Sequence, residues 1–265
     1  MLECVVNISE GRDEVALERL AVACSGSLLD LHFDGYHNRS VFTLCGDGVE
    51  EGARQLSLAA SRLLDLRRHH GVHPRLGVVD VVPFVPLLGA AMEEAVAARD
   101  RFAAWIAAEL SVPAFLYGRE MSLPEVRRTA FRGLSPAFGP DHPNPRLGAA
   151  CVGARPLLVA LNFVVAGDLD AARAVSRRLR SPAIRTLTFD VGGRSQVSMN
   201  LVEPERVGPA EAYELAAGLI EIEEVELVGL VPASSLSGRS ARVLEQMGID
   251  RTRTIEYRVA ELGVG

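Results

Sequence analysis

Three of the chain's six histidines fall in one short run, His69-His70-Gly71-Val72-His73-Pro74-Arg75-Leu76-Gly77, with Asp80 close behind. Pro74 stiffens this run while Gly71 and Gly77 free its backbone, so an imidazole is held in a loop where it can act as a base near neutral pH. A metal centre fits less well. Gly71 and Pro74 prevent the helix that would put His69 and His73 on one face, and no cysteine or clustered carboxylate completes a shell. A structural loop with a hydrogen-bonded histidine is the plainer alternative. A second run, Asp34-Gly35-Tyr36-His37-Asn38-Arg39-Ser40, reads as a hairpin turn with Asp and Asn in their usual places, or as a binding loop, since a turn needs neither Arg39 nor His37. Arg39, opening a strand, can offer its fork of donors to a carboxylate. In a third run, Gln196-Val197-Ser198-Met199-Asn200, strand alternation sends Gln196, Ser198 and Asn200 to one face, either a solvated edge or the lining of a wet cavity.

The elements that must position these side chains follow from hydrophobic periodicity. Residues 3–8 read as strand, 13–25 as a helix that Asp13 can cap, 28–33 and 39–45 as strands, 49–66 as helix, 78–84 as strand, 90–110 as helix and 113–117 as strand. The order then recurs: strand 157–165, helix 168–180, strands 184–191 and 196–202, helix 209–220 and strand 225–231, ended by Pro232. Even the openings repeat, Val6-Asn7 before Gly11-Arg12-Asp13 and Leu161-Asn162 before Gly167-Asp168. The expected fold is α/β (α+β), with two tandem βαββαβ ferredoxin-like subdomains over residues 1–155 and 156–265. Helices lie outside and the sheets face each other, because a sheet covered on one face needs a partner for the other. Residues 131–155, dense in Gly and Pro, are expected to hold neither helix nor central strand. Phe138, Asp141, His142, Asn144 and Arg146 in that stretch suit ligand contact better than a solvated tether.

Composition narrows the function. The 265 residues carry 28 basic side chains, all arginine, against 34 acidic ones, for a net charge of −6, and 48% of residues are hydrophobic. That excludes disorder and a dedicated nucleic-acid binder, and the lack of lysine excludes Schiff-base and P-loop chemistry. The start, Met1-Leu2-Glu3-Cys4-Val5-Val6-Asn7, has no basic opening or long apolar core, and no apolar run reaches the roughly 18 residues of a membrane span. A cytoplasmic location with no membrane partner is therefore expected. Cys4, Cys24, Cys45 and Cys151 sit apart in apolar runs and are expected as reduced, buried thiols.

Six runs, in order over about residues 1–232, carry a family resemblance. They are Glu3-Cys4-Val5-Val6-Asn7-Ile8-Ser9-Glu10-Gly11-Arg12; His37-Asn38-Arg39-Ser40-Val41; Gly71-Val72-His73-Pro74-Arg75-Leu76-Gly77 with Asp80-Val81-Val82-Pro83-Phe84; Val152-Gly153-Ala154-Arg155; Gln196-Val197-Ser198-Met199-Asn200-Leu201; and Val228-Gly229-Leu230-Val231-Pro232. The sequence resembles the glutamate formimidoyltransferases, the formiminotransferase part of the formiminotransferase-cyclodeaminase family, in a short single-function form. The resemblance implies transfer of a formimino group from N-formiminoglutamate to N5 of tetrahydrofolate, giving 5-formiminotetrahydrofolate and glutamate, in histidine degradation and one-carbon metabolism. It also implies two α/β subdomains facing each other across a substrate tunnel.

By that resemblance the His of the H-P-R-x-G motif, here His73, is the catalytic base, and the folate-contacting loop maps to residues 139–148. Asp34 or Asp80 is expected to orient the cationic amidinium, and Arg39, Arg75 or Arg155 to meet the substrate's carboxylates. The binding set is expected to comprise Asn7, His37, Asn38, Arg39, Arg75, Phe138, Gly139, Pro140, His142, Arg146, Gly148, Gln196, Ser198 and Asn200. Tetrahydrofolate is then a co-substrate and no metal is expected. A homodimer is compatible with the reading, and a separate cyclodeaminase is expected downstream because no cyclodeaminase part follows. The chain looks shorter than the family's usual transferase between Arg132 and Phe138, around Pro182 and around Ile220, which bears on the tunnel mouth. Two other readings stay open. One is the same fold and folate with another donor, formiminoglycine or a formyl amino acid; the other is a non-catalytic folate-binding relative, against which His73, Arg75 and Asn38-Arg39 speak.

Overall fold

Strand β1 (Leu2–Ile8) alternates, and its Cys4, Val6 and Ile8 are fully buried in a core with Leu17, Leu20, Leu56 and Phe102 from three helices. Glu3, Val5 and Asn7 take its other face. The computed structural model in which this is seen describes residues 1–263, in two compact units, Met1–Pro156 and Leu157–Gly263. Among the described residues no helix is long and apolar enough to cross a membrane.

In the first unit β1 is followed by α1 (Glu14–Ala23), β2 (Leu28–Asp34), β3 (Arg39–Cys45), α2 (Val49–Leu63), β4 (Val79–Pro86), α3 (Met92–Leu110), β5 (Ala114–Tyr117), α4 (Leu123–Thr129) and β6 (Ala150–Ala154). The sheet order is β2-β3-β1-β4-β6-β5. The first four strands pair antiparallel, in the ferredoxin-like order, and β6 adds in parallel between β4 and β5. The second unit runs β7 (Val159–Val165), α5 (Leu169–Leu179), β8 (Ile184–Asp190), β9 (Ser195–Leu201), α6 (Pro209–Ala217), β10 (Ile222–Val228), α7 (Ala241–Gln246) and α8 (Ile255–Leu262). Its antiparallel order, β10-β7-β9-β8, matches β4-β1-β3-β2. Leu161, Phe163, Val197, Met199 and Leu201 pack there with Val175, Leu179 and Ala212. The repeated openings are caps: Asp13 accepts from the Ala16 N–H at 3.0 Å and Asp168 from the Ala171 N–H at 2.9 Å, satisfying donors that start α1 and α5.

The expectation for residues 131–155 is corrected, since the stretch ends in β6, a strand inside the sheet. Its prolines stop at Pro145, and Ala149, Ala150, Cys151 and Val152 are fully buried. Gly153 serves packing rather than a turn, because a Cβ there would lie 2.2 Å from a Tyr117 ring carbon. Helix α4 was not read either, although Glu125 accepts from the Ser122 N–H at 2.9 Å and its O–H at 2.5 Å, holding the helix start. The last strand lies at Ile222–Val228 rather than 225–231, because Gly229 turns to φ +80° and Val231 instead bridges Thr254. That bridge ties in α8, an element without a sequence counterpart in the reading above.

Putting a methyl group at residue 153 pushes against an immobile ring between two parallel strands. Gly153→Ala is expected to destabilise by about 1–3 kcal/mol, the usual range for overpacking. A urea titration should show a lower midpoint with an unchanged slope, whereas a wild-type midpoint would mean that the β5–β6 spacing does not depend on this contact.

Candidate active site

Strand β4 carries a bulge against β1: Ile8 faces Val79 and Asn7 faces Val81, so Asp80 is an extra residue between them. Its carboxylate has no exposed surface. Oδ2 accepts from Arg39 Nη1 and from Arg127 Nη2, each at 2.6 Å, and Oδ1 accepts from the Leu76 N–H at 2.7 Å. Burial alone would push this carboxyl up, but Arg39 and Arg127 outweigh it and hold it below the usual range. Arg39, at the start of β3, also donates Nε and Nη2 to Asn7 Oδ1 at 3.1 and 2.8 Å. Arg127, in the last turn of α4, donates its other terminal nitrogen to the Pro74 carbonyl. Val126 beside it is buried with Val81, Phe115 and Cys151, which seats α4.

Half-buried His73 sits over this group. Its Nδ1 lies 2.7 Å from the Pro74 carbonyl oxygen, which can only accept, so Nδ1 carries the proton and Nε2 the lone pair of the neutral ring. Its ring meets that of His37 edge-on, 5.9 Å between centroids. Burial, then the charges of Arg39 and Arg127, push His73 down to about 3, against the opposing pull of Asp80 and the Pro74 carbonyl. The imidazole is thus uncharged at neutral pH, with its single proton on Nδ1.

Its loop is stitched to the β2–β3 turn. The Asn38 Nδ2 donates to the His70 carbonyl at 3.0 Å, His69 Nε2 to the Asn38 carbonyl at 2.6 Å, and the Val72 N–H to the Tyr36 carbonyl at 3.2 Å. The approach is so close that a Cβ on Gly71 would lie 2.2 Å from the His37 carbonyl oxygen. His37 and Asn38 are buried by it.

Several residues named from sequence are engaged in ways that types alone do not reveal. Asp34 accepts from the His37 N–H at 2.6 Å, the turn-forming option. Arg75 donates to the Gly71, His73 and His69 carbonyls at 3.1, 2.9 and 3.2 Å, bracing its own loop. Asp80, expected to orient a cationic substrate, turns instead to two arginines. Arg155 follows β6 and donates to the Pro156 carbonyl at 2.9 Å. The 138–148 segment splits. Phe138 packs on the first core, its carbonyl accepting from the Ala114 N–H at 2.9 Å, with Gly139 and Pro140 next to it and His142 exposed. Arg146 instead holds the Leu64 and Ser61 carbonyls at the end of α2, and Gly148 bridges Gly77 at the far end of the His73 loop. Gln196, Ser198 and Asn200 lie in the second unit on the face of β9 opposite Val197, Met199 and Leu201, as alternation requires. Arg127 was missed. The signal for it was Ser122-Leu123-Pro124-Glu125, which starts a helix that ends in Arg127-Arg128.

The four cysteines are buried and free, and burial pushes Cys24 up to about 12, Cys45 up to about 11, and Cys4 and Cys151 likewise upward. They are poor nucleophiles. Among the described residues no group of three His, Cys, Asp or Glu side chains is placed to hold a metal ion.

Fold and site together define a protein of two ferredoxin-like repeats, with an uncharged imidazole set on a buried Arg–Asp–Arg group in the first. Residues 1–155 match the family described as formiminotransferase domain, N-terminal subdomain. The chain is 33% identical over 271 aligned positions to the glutamate formimidoyltransferase of Streptococcus pyogenes serotype M1, covering 89% of this chain and 90% of that protein. It is 29% identical to that of Thermoplasma acidophilum over 98% of this chain and 97% of that protein. Against the formimidoyltransferase-cyclodeaminase of Sus scrofa it is 31% identical over 99% of its own length and spans 60% of the longer protein. The chain belongs to the formiminotransferase family.

Two expectations follow from the ionisation of this site. Asp80→Asn leaves two buried guanidinium groups without their shared charge and should cost about 3–5 kcal/mol by chemical denaturation at neutral pH; a loss below 1 kcal/mol would show that the arginines re-solvate freely. For His73 the unfolded chain takes a proton near 6.5 and the folded one only near 3. Above 6.5 neither state is protonated and the contribution is flat; as pH falls from 6.5 towards 3 the proton favours the unfolded state, so stability declines. His73→Gln should make that decline shallower, and an unchanged slope would mean that the folded ring titrates normally.

Proposed function

We propose that the chain transfers the formimino group of N-formiminoglutamate to N5 of tetrahydrofolate, releasing 5-formiminotetrahydrofolate and glutamate. The observation that carries this reading is the His73 imidazole, its Nδ1 held against the Pro74 carbonyl beside the buried Asp80 that Arg39 and Arg127 share. Family membership and the named transferases that align over most of the chain support it.

N5 of the folate attacks the amidinium carbon of the donor, giving a tetrahedral adduct in which N5 must lose a proton. His73 takes it on Nε2. The resulting imidazolium is a strong acid beside two guanidinium groups and hands the proton to the glutamate nitrogen. The carbon–nitrogen bond to glutamate then breaks, and His73 is neutral again. A ring held far below its ordinary value is a weak base but a good acid, which suits a step limited by departure of the amine. Holding both substrates in reach supplies the larger share, up to about 7–11 kcal/mol in favourable cases. Two guanidinium groups share one carboxylate here, so the site carries one excess positive charge, which suits a donor with two carboxylates. Arg39 gives its nitrogens to Asp80 and Asn7, and Arg75 gives its terminal nitrogens to carbonyls of its own loop, so a donor carboxylate would share or displace one of these bonds. The segment 138–148 would meet the folate. A cytoplasmic location and a homodimer belong to the same reading.

The test is a transferase assay on the purified protein with tetrahydrofolate and either formiminoglutamate or formiminoglycine. Transfer is expected from the first, and His73→Ala should lower the rate at least 10²-fold, as removal of a general base does, with tetrahydrofolate binding retained. More than a tenth of the wild-type rate in that variant would remove His73 from the mechanism, and equal use of both donors would remove the substrate assignment.

A further inference from the structure

The Pro74 carbonyl accepts two donors, the Nδ1–H of His73 and a terminal nitrogen of Arg127. The first comes from the adjacent residue and the second from α4, an element far along the chain. Arg127 cannot drift, because its other terminal nitrogen is held by Asp80 at 2.6 Å and Val126 beside it is buried. Arg75, by contrast, binds only carbonyls of the loop that carries it and moves with that loop. A carbonyl fixed in direction by a guanidinium tied to the sheet presents its oxygen to one nitrogen of the neighbouring imidazole.

We infer that Arg127 is a positioning residue for His73: by anchoring the Pro74 carbonyl it keeps the imidazole proton on Nδ1 and so makes Nε2 the basic nitrogen. The inference deepens the transferase reading and rests on it for its kinetic consequence. The charged and titratable groups around the ring are Arg39 from β3, Asp80 from β4, Arg127 from α4, His37 from the β2–β3 turn and Arg75 from its own loop. Removing Arg127 takes away one of the two nearby positive charges and leaves Asp80 opposed by Arg39 alone, so both tautomer and ionisation should change together.

The experiment is nitrogen–proton correlation NMR of the histidine side chains in the ¹⁵N-labelled full chain, with no substrate present. In the wild type the His73 ring should carry its proton on Nδ1 and stay uncharged on acidification well below its ordinary value near 6.5. In Arg127→Gln it should show mixed tautomers and titrate higher than in the wild type, since one of the charges that lower it is gone while burial and Arg39 remain. If Gln does not fold, Arg127→Met is read the same way. Kinetically, a ring is about nine-tenths protonated one pH unit below its own midpoint, so kcat/KM of the variant relative to wild type should fall about tenfold one unit below the raised midpoint that the NMR titration gives and recover above it, with KM for tetrahydrofolate unchanged. A merely structural arginine would lower activity equally at every pH.

A wild-type ring protonated on Nε2 overturns the inference without any variant being made. So does a folded variant whose ring signals and pH profile match the wild type. Should the ring behave as expected while the wild type transfers nothing, the transferase reading fails and the positioning role stands.

Discussion

One carboxylate without any exposed surface fastens three separate segments. Asp80 joins the start of β3 through Arg39, α4 through Arg127 and the backbone of the His73 loop through the Leu76 N–H. The bulge that brings it there also does a second job. Because Asp80 is inserted between them, Val79 and Val81 face opposite sides of the sheet, and Val79 joins the core with the large helices while Val81 joins the cluster under α4. A regular strand would have sent both the same way. The bulge thus decides which face Val79 takes, and the acid that shifts the period is the one on which the site stands.

Such an arrangement is poor value as stabilisation alone, since burying ions costs much of what their attraction returns. Its effect is on the neighbour. Burial disfavours a charged His73 most, and of the charges beside it two guanidinium groups repel a second proton while one carboxylate attracts it, so the ring is kept neutral. The same excess charge that helps keep a second proton off the imidazole is available to an anionic ligand, so binding a carboxylate there would ease the penalty and raise the basicity of His73.

The strands and long helices were legible because each has one buried face and therefore a period. The duplication was legible in the paired openings, which prove to be the caps Asp13 and Asp168. What failed was the treatment of residues 131–155 as uniform: Gly153 looks like a turn residue, yet it makes room for the Tyr117 ring. His73 could be picked out because a His before Pro between glycines has few structural reasons. Arg127 could not, since an arginine ending a short helix resembles any other that meets the helix dipole, and its partners lie far off in sequence. Arg75 misled in the opposite sense, as bonds to carbonyls of its own loop leave no trace in residue type.

The second unit provides an internal comparison for what burial contributes. Its β8–β9 turn repeats the first: Asp190 accepts from the Gly193 N–H at 2.7 Å as Asp34 does from the His37 N–H, and Arg194 precedes β9 as Arg39 opens β3. Its last strand also carries an acidic bulge, Glu223, between Ile222 and Glu224 where they pair with Val165 and Val164. Arg194 meets Glu224 at 2.8 Å and Glu223 at 3.7 Å, but all three side chains are about half exposed. An exposed pair of this kind is screened and worth about 0–1 kcal/mol, too little to hold a neighbouring group in one protonation state. No His-Pro pair follows α6 in that repeat, where Gly218, Leu219, Ile220 and Glu221 lead directly into β10. Both units thus inherit the turn, the arginine and the acidic bulge from one pattern. In the first, the added helix α4 and its buried Val126 close over the ion group and bring a second arginine to it, and this covering converts a surface ion pair into a site that can set the charge of an imidazole.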